Sequence, residues 1–159
     1  MYDRYRTQTD KLTHHRFFLY ATILIIFAVF GSGLRGGAVY DDIVEIHQLS
    51  NHALLDSFQL VIAGYYRPMR SLLWIAVRDV FGWFIPSILH WLSISVHCIN
   101  CALIVRIILQ VWPSSFTYRY VAAGVALTVF GLFPFSYEAV LWASAIHHLL
   151  LTMWGLTAV

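Results

Sequence analysis

Hydrophobic positions in this chain fall in long unbroken runs separated by short polar segments. The run from Phe17 to Leu34 is long enough to cross a bilayer as a helix. Residues 1–16 precede it, with Arg4, Arg6, Lys11 and Arg16, so the positive-inside rule makes this tail cytoplasmic. The same arrangement, with Gly31, Ser32 and Gly33 late in the run, also fits a cleaved signal peptide. A second span is expected over 85–109, with Arg106 snorkelling to the cytoplasmic surface, then a cytoplasmic loop over 110–117. A third span, 118–133, carries Gly124 and Gly131 and stops at Pro134. Residues 134–148 then return to the outer side, and 149–159 open a fourth span. Those last residues cover only about 16 Å of a hydrocarbon core of roughly 30 Å, so a portion of a longer protein is expected.

Residues 35–84 form the long outer loop in this scheme. Leu54, Leu55, Phe58, Val61 and Ile62 recur at helical spacing, which predicts a helix from Ser50 to Ile62, capped by Ser50 or Asn51 and ended by Gly64. From Met69 to Phe84, Leu72, Leu73, Ala76, Val77, Val80, Phe81 and Phe84 share one arc of a helical wheel. Arg70, Ser71, Arg78 and Asp79 share the other. That division predicts an amphipathic helix lying in the interface; the alternative is a spanning helix with Arg78 and Asp79 paired inside a bundle.

Composition agrees with the pattern. Of 159 residues, 60% are hydrophobic and 11% charged, against about a quarter charged in soluble domains. The fold class expected is therefore an all-α polytopic membrane protein, a single membrane domain over 1–159. A net charge of +2, with scattered Lys and Arg, gives no basic face for nucleic acid.

Several polar groups stand out against this background. Asp41 and Asp42 follow the first run, where carboxylates are cheaply solvated; as neighbours they point apart in a regular element and serve one ligand only from an irregular loop. The other reading is two solvated surface carboxylates. Arg67 and Arg70, beside Tyr65, Tyr66 and Pro68, suit a phosphate, a salt bridge or a lipid headgroup. His90, Ser93, His97 and Asn100 form one stripe on the second span, fit for interhelical hydrogen bonds rather than haem. Cys98 and Cys101 lie mid-helix and read as small buried residues, not as a metal site.

Taken in order, Tyr40-Asp41-Asp42, Tyr66-Arg67-Pro68, Phe81-Gly82, and Pro86, His90, His97 and Asn100 resemble the N-terminal part of the GT-C membrane glycosyltransferases. Pro134, Glu138, Ala139, Val140, Trp142 and Ser144 are similar to a further segment of the protein O-mannosyltransferase-like enzymes, of the transmembrane tetratricopeptide type and their bacterial relatives. The chain departs from that segment at Phe133 and at Ala145-Ile146-His147-His148. The resemblance implies an integral multi-pass enzyme of the bacterial cytoplasmic or endoplasmic reticulum membrane, N-terminus in the cytoplasm. It would move a sugar from a polyprenyl-phosphate donor to a protein or glycan acceptor outside. It implies Asp41 as general base, Asp42 and Glu138 as supports for the acceptor or a divalent metal, and Arg67 as a phosphate contact. Arg70 and His148 complete the candidate substrate-binding set. The partial chain alone is expected to be inactive. The competing classes are a non-catalytic membrane subunit, a degenerate fragment and a transporter-like bundle.

Overall fold

The computed structural model describes residues 20 and 21, 23–112 and 118–159. The expected tail over 1–16, the start of the first span and most of the 110–117 loop lie outside these residues.

The architecture is mainly helical and is built along one helix. That helix, α4 (Pro86–Val111), starts at a proline whose fixed φ and missing N–H suit a first helical turn. Its 26 residues extend about 39 Å, and it is the one helix among the described residues long and apolar enough to cross a membrane. Helices α1 (Ile23–Arg35) and α5 (Arg119–Gly131) are apolar but shorter. The expected third span is thus a helix of 13 residues, about 20 Å long, short of the roughly 30 Å of hydrocarbon. The chain leaves helical geometry at Leu132, and Pro134 has no N–H with which to resume it. Helices α6 (Ser136–Leu141) and α7 (Ile146–Thr157) complete the second half, joined by a 3₁₀ turn at Ala143–Ala145.

Two apolar cores share α4. The larger gathers Ile26 and Phe30 of α1, Ile94, Cys101 and Val105 of α4, Leu127 of α5, Val140 of α6 and Leu149 of α7. The expected polar stripe of α4 is buried within this bundle. His97 Nε2 lies 3.2 Å from the Gly131 carbonyl of α5, and Asn100 Nδ2 donates to the Leu149 carbonyl of α7 at 2.9 Å. The stripe therefore ties helices together, and the two cysteines are free thiols, one buried and one half-buried.

The smaller core gathers around Trp74 and Ile75 of α3 (Pro68–Phe81), with Leu49 of α2 (Asp41–Leu49), Ile62, Phe84 and Leu89. Here two expectations are corrected. Residues 50–62 do not form an α-helix. Leu54–Phe58 is a 3₁₀ turn, fixed by Asp56 Oδ2 accepting the Ala53 N–H at 2.7 Å, and a hairpin follows. Strands β1 (Val61–Ile62) and β2 (Tyr65–Tyr66) pair antiparallel across Ala63 and Gly64, whose φ values of 51° and 82° suit a primed two-residue turn. Gly64 is left-handed, as a helix cap would be, but it serves this hairpin.

Helix α3 exists and ends at Gly82 in the left-handed conformation, yet its faces are not the expected ones. Arg70 and Ser71 are buried with Trp74, Ile75 and Val77, whereas Val80 is 75% exposed. Trp74 and Ile75 set the inward face, and polar partners draw the arginines in after them. Arg78 Nη1 donates to the Leu49 and Ser50 carbonyls at 2.9 Å each, capping the end of α2.

Candidate functional site

The acidic pair forms the first turn of α2 rather than an irregular loop, so its two carboxylates part. Tyr40, at φ 45°, makes the sharp entry into the helix. Asp41 is exposed. Asp42 is fully buried: one oxygen accepts the Val39 N–H at 3.2 Å, the other the Ser144 N–H at 2.8 Å. This second bond joins the start of α2 to the turn between α6 and α7.

One turn along α2, Glu45 faces inward beside Asp42. Its Oε1 accepts a hydrogen bond from Arg70 Nη1, and Arg67 Nη1 stands 3.9 Å from the same oxygen. Both ends of this pair are desolvated. Burial raises the Glu45 carboxyl above its usual range, against the pull of Arg70 and Arg67 and with a smaller push from Asp42. Burial also lowers Arg70, countered by Glu45, though a guanidinium keeps its charge in either setting. Among the described residues, Arg70 Nε and Nη2 and Glu45 Oε2 are buried without hydrogen-bond partners. Arg67 is half-buried, its guanidinium 4.3 Å from the Tyr65 ring centre.

These arginines line a cavity of about 270 Å³ with His147. The rest of its wall is largely apolar: Met69, Leu150, Leu151 and Trp154. His147 Nδ1 lies 3.0 Å from the Ser144 carbonyl, and burial brings the imidazole down to about 4, only partly offset by that bond and aided by His148, Arg67 and Arg70. It is thus neutral near pH 7. The cavity wall thus combines the partly exposed Arg67 with largely apolar side chains.

The structure therefore brings together Arg67, Arg70 and Asp42, and sets Glu138 and His148 elsewhere. Glu138 lines a cleft of about 480 Å³ with Tyr40 and His90, while His148 lines an apolar cavity of about 600 Å³ with His97 and Phe130. Among the described residues, no three His, Cys, Asp or Glu side chains stand close enough to share a metal ion. Glu45 and His147 are the site residues that sequence reasoning passed over. Glu45 had a signal: three residues after Asp42, it shares that residue's face once the segment is read as a helix. His147 had only its place in the second outer segment.

No family model, curated protein or solved structure matches this chain.

Proposed function

We propose that this chain supplies the donor-binding side of an integral, multi-pass membrane glycosyltransferase of the GT-C type, using a polyprenyl-phosphate sugar. The observation that carries the reading is the arginine cavity. A polyprenyl phosphodiester has an anion that only accepts hydrogen bonds, joined to a hydrocarbon chain. The partly exposed Arg67 guanidinium, beside the buried Arg70, suits the first part; Met69, Leu150, Leu151 and Trp154 suit the second. Glu45 holds Arg70 in place and keeps the buried guanidinium from standing without a counter-charge.

Asp41 is the group free to act as a base on the acceptor hydroxyl. In the reaction the acceptor oxygen bonds to the sugar's anomeric carbon, the bond from that carbon to the phosphate oxygen breaks, and the hydroxyl proton passes to Asp41. The carrier leaves as a phosphate monoester and needs no strong general acid. Asp42, with both oxygens engaged by backbone N–H groups, is a positioning residue for this turn.

Donor capture is measured with the chain in lipid nanodiscs by native mass spectrometry, using a short-chain polyprenyl-phosphate hexose. Binding is expected to weaken about tenfold to a hundredfold in Arg67→Gln, through the lost charged hydrogen bonds, and to persist in Asp41→Asn. Equal binding of the phosphate-free polyprenol, or unchanged binding in Arg67→Gln, would overturn the reading.

A further inference from the structure

We propose that the hairpin of β1 and β2 is a membrane anchor, seated among the lipid headgroups at the level where α4 enters the bilayer. The proposal rests on α4 crossing the membrane and not on sugar transfer, so donor capture by Arg67 can fail while the anchor stands.

The hairpin projects from the fold. Ile62 is the one buried residue of its strands; Val61, Tyr65 and Tyr66 are 62%, 57% and 59% exposed, so both faces of the ribbon are open. At the tip, a β-carbon added to Gly64 would meet nothing within 4 Å. The Tyr66 hydroxyl donates to the Phe58 carbonyl at 3.0 Å, which brings the exposed Phe58 alongside. From Ser57 to Tyr66 the chain carries no charged residue, and Asp56 and Arg67 bracket the stretch. Apolar surface left in water costs free energy, and a contiguous exposed patch of it marks a place of contact.

The spanning helix identifies what covers this patch. Trp91 and Trp112 are both exposed, about 31 Å apart along α4, which matches the roughly 30 Å of hydrocarbon that separates two aromatic belts. Trp91 thus marks one boundary of the bilayer. Ile62 anchors the hairpin in the core that also holds Phe84 and Leu89, and Leu89 lies only about 3 Å from Trp91 along the axis. The hairpin is therefore held at the height of that boundary. Tyrosine suits the place, since its ring is buried among acyl chains while its hydroxyl stays wet. The backbone limits the depth: the outward N–H and C=O groups of a two-stranded ribbon have no partners within it and are satisfied only where water reaches. With two residues in each strand, the same ribbon offers a protein partner almost no edge to pair with.

The test places a nitroxide on single cysteines at Val61, Tyr65, Ser50 and Ile99, with Cys98 and Cys101 replaced by alanine, in phosphatidylcholine nanodiscs holding one copy each. Oxygen, which concentrates in lipid, and a water-soluble nickel chelate report the surroundings of each label. The oxygen-to-nickel ratio is expected to be highest at Ile99, which is exposed midway along α4. At Val61 and Tyr65 it should exceed the Ser50 value about threefold or more, as side chains roughly 5–10 Å into the headgroup boundary require. Val61→Glu should return the Tyr65 label to the Ser50 value, because a carboxylate is drawn back to water. An unchanged Ser50 spectrum reports that this variant is folded; if that spectrum changes, Val61→Gln carries the test. A low ratio at Ile99 would remove α4 from the bilayer and the proposal with it. With Ile99 in lipid, three results would each overturn the anchor alone: ratios at the hairpin equal to that at Ser50, protection of both hairpin labels from both reagents by a protein cover, or an undiminished Tyr65 ratio in the variant that carries the test.

Discussion

Asp41 and Asp42 are adjacent in sequence and opposite in environment, and that contrast gives a direct measurement. Asp42→Ala leaves the buried Ser144 N–H without an acceptor and removes a charge-assisted bond, which costs about 2 to 3 kcal/mol. Asp41→Ala removes an exposed side chain and should stay within about 0.5 kcal/mol of the parent. Unfolding of both variants in one detergent decides the matter; equal stabilities would show that the Asp42 carboxylate does not hold the turn. The acidic pair itself was visible in the sequence. Its division of roles was not, because the Asp42 partner lies 102 positions away and local spacing carries no trace of it. Glu45 was hidden for a different reason. Reading the pair as a loop removed the helical spacing that would have placed Glu45 beside Asp42.

At the scale of elements, the long apolar helix and its polar stripe were legible because 3.6-residue spacing persists over many turns, so accidental matches average out. Shorter segments offer no such protection. Leu54, Leu55, Phe58, Val61 and Ile62 match a helix by spacing, yet two consecutive left-handed residues turn the chain back as a hairpin. Helix α3 was legible as an element but not in its orientation, because the expected apolar arc left out Trp74 and Ile75, which form the buried face. The hairpin makes its own prediction. Gly64→Val forces a β-branched residue to φ 82°, a loss of about 1 to 2 kcal/mol, whereas asparagine tolerates that conformation and should lose much less. Matching thermal midpoints for the two variants would contradict the left-handed turn.

At the scale of the whole molecule, α4 separates two chemically different ends. Helices α2 and α3, with the acidic pair and the arginine cavity, pack near its start through Phe84 and Leu89; Arg106 is exposed near its finish. If α1 and α4 both cross, as the proposed topology has it, the basic residues of 1–16 fall on the same side as Arg106. The proposed topology therefore places Ser50 outside and Gln110 inside. Both positions are exposed, so labelling there reports side rather than burial. Single cysteines at Ser50 and Gln110, on a background with Cys98 and Cys101 replaced by alanine, are treated in intact cells with an impermeant thiol reagent. Modification at Ser50 alone is expected. Modification at both would mean that α4 does not cross the membrane, and modification at Gln110 alone would put the arginine cavity on the cytoplasmic side, away from an outward-facing acceptor.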